Sequence, residues 1–271
     1  ESEHSLNGPV STFGAFTAMF FELVRRRGVQ WQVVEVGLGG THDATNVFDS
    51  KDVTVITAIS LEHTAVLGNT HEEIAEQKSG IITPGCYAVV APQRHAGAVS
   101  VIEERCRQIG AHFVDVSKHY TTQLLECTEV GQTFSVQSPH ASYRLFTGMR
   151  GRHQLDNATT AIAAVEHALN AAIPADVASQ AMRTAVLPGR LEVVCRSPLT
   201  VIDGAHNPDS ARVLSQALAD HFPERRVTLI LGMNSDKDVS GFLKAFQPAP
   251  SKIIATASNN LKAMAPYDVC Q

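Results

Sequence analysis

Apolar positions along the chain change their period several times, and each change predicts an element. Over Thr12–Arg27 (TFGAFTAMFFELVRRR) they recur at helical spacing and give way to three arginines before Gly28. This predicts a helix whose C-terminal charge suits its dipole. Trp31–Val36 (WQVVEV) is a short apolar run and predicts a buried strand, whereas Gly37–Asp52, rich in Gly, Asp, Thr and Asn, predicts a loop. Val53–Ile59 predicts a second strand. Thr70 with Glu73 three residues later forms a capping-box pattern, opening a helix that ends at Gly80. Tyr87–Ala91 predicts a strand, Ala98–Ile109 a helix and His112–Val116 a strand. Such βαβα alternation predicts a parallel sheet covered by helices, and so an α/β fold.

From Thr121 to Thr147 the period drops to two. TQLLECTEV, TFSVQ and SYRLF alternate apolar and polar around Gly131 and Ser138-Pro139, which predicts an antiparallel excursion on the edge of the sheet. Helices follow near His153–Ala171 and Pro174–Ala185. Leu187-Pro188-Gly189-Arg190 is the candidate hinge, after which the alternation restarts. It runs as a strand at Leu199–Ile202, a helix from Pro208, a strand at Val227–Leu231, a helix near Asp238–Phe246 and a strand at Lys252–Ala257. The expectation is two α/β domains, 1–187 and 188–271, with no internal repeat.

Composition narrows the field. The 271 residues, 44% hydrophobic, suffice for two cores at roughly 150 residues per domain. A net charge of −5 without a basic run argues against nucleic acid as a partner. No apolar run is long enough to span a bilayer, and the start, Glu1-Ser2-Glu3-His4, lacks the basic and apolar stretches of a secretory leader. The five cysteines (Cys86, Cys106, Cys127, Cys195 and Cys270) are odd in number and widely spaced, with no C-x-x-C. They predict free thiols and a cytoplasmic location, not a disulfide framework or a zinc site.

Several polar residues stand where chemistry gathers in α/β folds, at the carboxyl ends of strands. Glu35 closes an otherwise apolar run and precedes Gly37-Leu38-Gly39-Gly40; it is either a partly solvated carboxylate or a ligand for a cation. His63 follows the Val53–Ile59 strand at the same edge, and is either structural or one half of an oxygen and imidazole site suited to Mg²⁺. Lys78 in the last turn of its helix is explained by the dipole alone unless other evidence intervenes. In Asp203-Gly204-Ala205-His206-Asn207-Pro208, capping accounts for Asn207 and Pro208 but not for Asp203 and His206.

Three segments in order are specific: EVGLGGTHDATN at Glu35–Asn46, ISLEHTAVLGNTHEEIAEQKSGII from Ile59, and LPGRLEV with DGAHNP at Leu187–Val193 and Asp203–Pro208. Together they resemble the folylpolyglutamate/dihydrofolate synthase family of the Mur ligase superfamily, and the resemblance covers nearly all of the chain. It implies a Mur-ligase-like central ATP-binding domain followed by a Rossmann-like C-terminal domain. The implied reaction adds L-glutamate to a folate or dihydropteroate, with ATP as energy source, through an acyl phosphate made at closure of the two domains. It also implies Mg²⁺ at two sites, bound by Glu35 and His63 and by a carbamylated Lys78, with Lys78 and His63 serving catalysis. Asn157 would approach the adenine, Arg190 the phosphates, and Asp203 and His206 the ribose and base side. Small-molecule substrates, no membrane partner and a monomer are expected. The sequence departs from the family pattern at Thr41-His42, where Arg-Leu is usual, and at Glu62, where Asp is usual. No G-x-x-x-x-G-K-[ST] phosphate loop occurs, and relative to the family the C-terminal domain stops early, near Ala265-Pro266-Tyr267; together these predict a chain truncated at both ends. The alternatives are another Mur-type amide ligase or a non-catalytic relative.

Overall fold

The computed structural model describes residues 11–269, so the Glu1-Ser2-Glu3-His4 start and Cys270 lie outside the described residues. The chain divides into two compact units, Glu1–Val116 and Ser117–Gln271.

The first unit contains α1 (Thr12–Arg27), β1 (Val53–Ile56), α2 (Thr64–Leu67), α3 (His71–Ser79), β2 (Tyr87–Val90), α4 (Ala96–Ile109) and β3 (His112–Asp115). The three strands are parallel in the order β1-β2-β3, with Val53 opposite Tyr87 and Tyr87 opposite His112. The central strand buries Ala88, Val89 and Val90 in succession, the pattern of a parallel strand covered on both faces. Ile74 of α3 and Ile102 of α4 are fully buried in the core with Ile56, Ala88 and Val90. Each isoleucine contributes about 1.5–3 kcal/mol by burial. The expected capping box at α3 is present: the Thr70 hydroxyl accepts from the Glu73 amide at 3.1 Å, and the Glu73 carboxylate accepts from the Thr70 amide at 3.2 Å.

Helix α1 has the expected limits. Ser11 caps it, and Gly28 ends it in the left-handed region at φ 59°. Its apolar face is uncovered among the described residues, with Phe16 64% and Met19 66% exposed. The strand expected at Trp31–Val36 is not formed. Residues 31–36 join no sheet, and Val33 is fully exposed. An apolar run sets β-propensity but supplies no ladder partner, and among the described residues none pairs with it.

The second unit begins within α5 (Val116–His119) and continues with β4 (Thr121–Thr128), β5 (Gly131–Gln137) and β6 (Ser142–Thr147). These are the predicted antiparallel strands, but they form a sheet of their own and not an edge of the parallel one. Helices α6 (Arg152–Leu169) and α7 (Ala175–Thr184) come next. Buried Glu166 anchors α6 to this sheet: its carboxylate accepts from Tyr143 Oη at 2.6 Å, Ser138 Oγ at 2.7 Å and Tyr120 Oη at 3.0 Å. Three donors offset the cost of burying a carboxylate. Burial, and then Glu166 itself, pushes the Tyr120 phenol up.

Beyond α7 lies a hairpin, β7 (Glu192–Arg196) and β8 (Leu199–Ile202), of which only the second strand was expected. Then come α8 (Pro208–His221), β9 (Thr228–Leu231), α9 (Val239–Ala245), β10 (Lys252–Ala255) and α10 (Pro266–Val269), with β9 and β10 parallel. Leu191, Ala211, Phe242 and Phe246 centre this core. Cys86, Cys106, Cys127 and Cys195 are free thiols, and no helix among the described residues is long and apolar enough to cross a membrane.

Candidate functional site

In the first unit one loop follows Glu35 and packs against α2 and α3. Residues 37–46 are laid on the last turn of α3, where helix carbonyls lack intrahelical partners. Thr41 donates to the Gln77 carbonyl from its amide at 3.0 Å and from its hydroxyl at 3.1 Å. Asn46 Nδ2 donates to the Gly80 carbonyl at 3.1 Å. Lys51 Nζ spans both sides, donating to Asn46 Oδ1 and the Ile81 carbonyl, each at 2.7 Å. Gly40 has no room for a side chain: a Cβ would lie 2.6 Å from the Gln77 carbonyl and 2.8 Å from that of Lys78. Within the loop, Asp43 accepts from the Leu38 amide at 2.8 Å and the Thr45 amide at 3.0 Å, a turn built on a short acidic side chain. Burial pushes the Asp43 carboxyl up, but the Thr45 hydroxyl and the Thr45, Leu38 and Gly37 amides more than offset this, leaving it below the usual carboxylate range.

The loop follows Glu35 and touches the elements that carry His63 and Lys78. Glu35 is exposed at its root. Gly39 packs on the Leu67 side chain of α2, the helix that follows the N-cap residue His63, and Gly40 faces the Lys78 backbone carbonyl. His63 is exposed and left-handed, at φ 54° and ψ 35°, a conformation uncommon outside glycine. Lys78 is half-buried. Among the described residues no group of three or more His, Cys, Asp and Glu side chains is arranged to hold a metal. Glu35 and His63 supply only two donors of those types.

In the second unit the Leu187–Leu191 turn and the Asp203–Pro208 loop are joined by Asp203. Its carboxylate accepts from the Leu191 amide at 2.9 Å and the Ala205 amide at 2.8 Å, and the Gly204 amide donates to the Gly189 carbonyl at 2.9 Å. Asp203 therefore has a structural duty that capping did not reveal. Asn207 caps α8 as expected, its Oδ1 accepting from the Ser210 amide at 2.8 Å with Pro208 at the first helical position. Arg190 reaches back toward this loop, and its guanidinium lies against Gly204. His206 is exposed, with Nδ1 2.9 Å from the Gly204 carbonyl. It borders a cavity of about 620 Å³ lined also by Asn234, Lys237, Thr256 and Ser258. Asn157, on the second turn of α6, is exposed and donates to Gln154 Oε1 at 3.2 Å.

One residue of this region escaped sequence reasoning. His153, in the first turn of α6, has a buried Nδ1 without a hydrogen-bond partner among the described residues. Burial lowers its pKa, with Asp203 opposing that and Arg190 assisting, so both groups lie within electrostatic reach. The available signal was its place one turn before Asn157 in HQLDN. Asp43, Asn46 and Lys51 were likewise missed; the Asp and Asn of the loop were visible as turn formers, and the Lys51 contacts were not.

The Mur ligase middle domain matches residues 15–165, and the Mur ligase glutamate ligase domain matches residues 189–271. The chain belongs to the Mur ligase family. It is 34% identical over 269 residues to the dihydrofolate synthase/folylpolyglutamate synthase of Mycobacterium tuberculosis, covering 95% of this chain and 55% of that protein. The Bacillus subtilis protein of the same name is 32% identical, covering 89% of this chain and 56% of that one. Among solved structures, the folylpolyglutamate synthase of Mycobacterium tuberculosis complexed with ADP and AMPPCP superposes with a TM-score of 0.87 at 32% identity, covering 96% of this chain and 59% of that one. A folylpolyglutamate synthase complex with AMPPCP and folate gives a TM-score of 0.83 at 29% identity, covering 92% and 62%. The chain thus spans a little over half the length of the relatives it matches.

Proposed function

We propose that the chain forms part of an ATP-dependent ligase that joins L-glutamate to the carboxyl group of a folate or dihydropteroate. The observation that carries this reading is the likeness of nearly the whole chain to enzymes named for that reaction, one of them solved with both an ATP analogue and folate. In the reaction the γ-phosphoryl group passes from ATP to the folate-side carboxylate, giving an acyl phosphate. The glutamate amine attacks its carbonyl carbon, the bond to phosphate breaks, and the amine gives up a proton.

The residues take the following parts in this proposal. Glu35 and His63 hold Mg²⁺, and Lys78, converted to an anionic carbamate by CO₂, serves a second ion. Exposed oxygen and imidazole donors beside a backbone-rich loop, with room for water, are a donor set Mg²⁺ accepts. The metal would neutralise charge on the transferring phosphoryl group. Asn157 meets the adenine, Arg190 the phosphates, and Asp203 and His206 the ribose and base side. His153 joins them through its unpartnered Nδ1. The cavity beside His206, with Lys237 and two hydroxyl side chains, suits the carboxylates of the incoming amino acid. The division into domains 1–187 and 188–271 is supported by the interval between the two family matches. A single chain in the cytosol suffices for these assignments.

The test is glutamate incorporation by the full-length protein, with folates, dihydropteroate and a cell-wall peptide precursor as acceptors. Incorporation into a pteridine acceptor is expected. Transfer to the peptide precursor alone would move the protein to another Mur-type amide ligase, and no transfer to any acceptor would favour a non-catalytic relative. Lys78→Arg is expected to lose activity by about tenfold to a hundredfold, as for a ligand-site change. Full activity there would leave Lys78 serving only its helix dipole. Glu35→Gln, nearly isosteric, should weaken Mg²⁺-dependent ATP binding while leaving the melting temperature unchanged.

A further inference from the structure

The first turn of α6 is held by a side chain from the far end of α8. His221, the last residue of that helix, is 1% exposed. Its Nδ1 lies 2.7 Å from the Thr128 carbonyl oxygen at the end of β4, and its Nε2 lies 3.0 Å from the Gly151 amide nitrogen. A carbonyl only accepts and an amide N–H only donates, so Nδ1 carries the proton and Nε2 is bare. The ring is neutral and its tautomer is fixed by its partners. The opposite side of the Gly151 residue is held as well: buried Gln132 donates from Nε2 to the Gly151 carbonyl at 2.9 Å and to that of Met149 at 3.0 Å.

Gly151 is the N-cap of α6 and offers no side chain to cap it. At φ 96° it adopts a backbone conformation that suits glycine, and a Cβ there would stand 2.7 Å from the His153 ring and 3.1 Å from Ala217 of α8. His221 thus provides the acceptor for a buried amide that would otherwise be orphaned. Around the ring, Cys127 Sγ donates to the Asp220 carbonyl at 3.4 Å, Arg152 pairs with the Asp220 carboxylate at 3.0 Å, and Arg150 donates to the carbonyls of Glu129 at 3.0 Å and Leu191 at 3.1 Å. Thr128 and Gly151 fall in the middle-domain match and His221 in the glutamate-ligase match, so this joint ties the two together within one compact unit.

We propose that His221 is a positioning residue for the nucleotide. By holding the Gly151 amide it fixes the first turn of α6, and with it His153 and Asn157, in register with the turn of Arg190 and the loop of Asp203 and His206. This rests on the reading that those residues meet ATP. The joint needs a bare Nε2. A proton placed there would set two N–H groups against each other and release Gly151. The charged and titratable groups facing the ring are Cys127 from β4, Asp220 from α8, and Arg150 and Arg152 from the start of α6. Burial keeps the ring neutral by lowering its pKa, the Thr128 bond opposes that, Arg150 assists it and Asp220 opposes it.

The experiment measures backbone amide exchange at Gly151, corrected for the intrinsic rate, together with Mg·ATP affinity, in full-length protein. Parent, His221→Phe and His221→Gln are compared between pH 8 and pH 5. The parent should protect Gly151 at neutral pH and lose about tenfold of that protection across the acid range. The Phe variant should be unprotected at every pH and bind Mg·ATP about tenfold more weakly, and the Gln variant should recover part of both. The KM for the carboxylate acceptor should stay fixed. If the Phe variant does not fold, the acid titration of the parent decides the matter by itself. An unprotected Gly151 in the neutral parent overturns the joint. Loss of protection in the Phe variant with unchanged ATP affinity overturns the positioning role and leaves a structural bond. A parent that protects Gly151 yet binds no ATP removes the nucleotide reading and the positioning role with it, while the bond stands.

Discussion

The loop of residues 37–46 and the start of α6 both present side chains for chemistry, yet they are held in opposite ways. The loop is stitched to a helix end by backbone groups, one half-exposed ammonium from Lys51 and the charged turn of Asp43. The α6 start is held by neutral, buried side chains, His221 and Gln132, with charged pairs only around them. A charged clamp near the surface tolerates water and small displacements, because solvent replaces what is lost. A neutral buried clamp does not, because a broken bond leaves an orphan in low dielectric. The difference should be measurable on each side.

Glycine replacement should give the largest effects. Gly151→Ala combines an unfavourable backbone angle with a clash against the His153 ring, and should destabilise by about 2–4 kcal/mol. Gly40→Ala meets two backbone carbonyl oxygens but carries no left-handed backbone angle, and about 1–3 kcal/mol is expected. Chemical denaturation followed by circular dichroism checks both. Equal or reversed losses would break the comparison.

The two aspartates offer a closer test. Asp43→Ala and Asp203→Ala each strip acceptors from two backbone amides. The expected cost is about 1–3 kcal/mol each, with Asp203 toward the upper end because Leu191, one of its donors, is 1% exposed and left-handed at φ 44°. Site-resolved amide exchange should show loosening at Leu38 and Thr45 in one variant and at Leu191 and Ala205 in the other, with no crossover. Lys51→Met, which keeps the aliphatic stem, should cost about 0.5–1.5 kcal/mol as two partly solvated hydrogen bonds are lost. Thermal melts of Lys51→Met and of the double variant with Asn46→Ala would reveal the coupling. Strict additivity would mean that the pair contributes nothing jointly.

What the sequence disclosed divides along the same line. Local rules found α1 to the residue, the Thr70 capping box and the Asn207-Pro208 helix start, since each depends on residues three or four apart. The strand at Trp31–Val36 misled because an apolar run says nothing of its neighbours. The β7 strand went unnoticed because its alternation is short and runs straight into a tight hairpin. The joints were out of reach. His221 binds a residue 70 positions away, Glu166 meets Tyr120 at a separation of 46, and Gln132 grips a peptide 19 residues downstream. A histidine at a helix C-terminus is explained by the dipole, so only the fold reveals its second duty.

Acid titration should yield the smallest effect and the finest test. The folded pKa of His221 lies below its ordinary value, so the unfolded chain takes up the proton first. Stability associated with His221 is therefore fully present above about pH 6.5 and declines as pH falls below it, until the folded ring also titrates. Asp43 also has a lowered pKa, but a carboxylate titrates lower. Its contribution is present above the unfolded value of about 3.9 and is lost as pH falls through the folded one. Both groups weaken the fold in acid, and the order is set: the α6 start should loosen first and the loop should hold until near pH 4. The His221 part is small against the whole and is read locally, as the loss of about tenfold in Gly151 protection across the acid range. Amide exchange of Gly151 against Leu38 and Thr45 between pH 7 and pH 4 would display it. Simultaneous loosening of both segments would show that acid acts on the fold as a whole and that the two clamps do not differ.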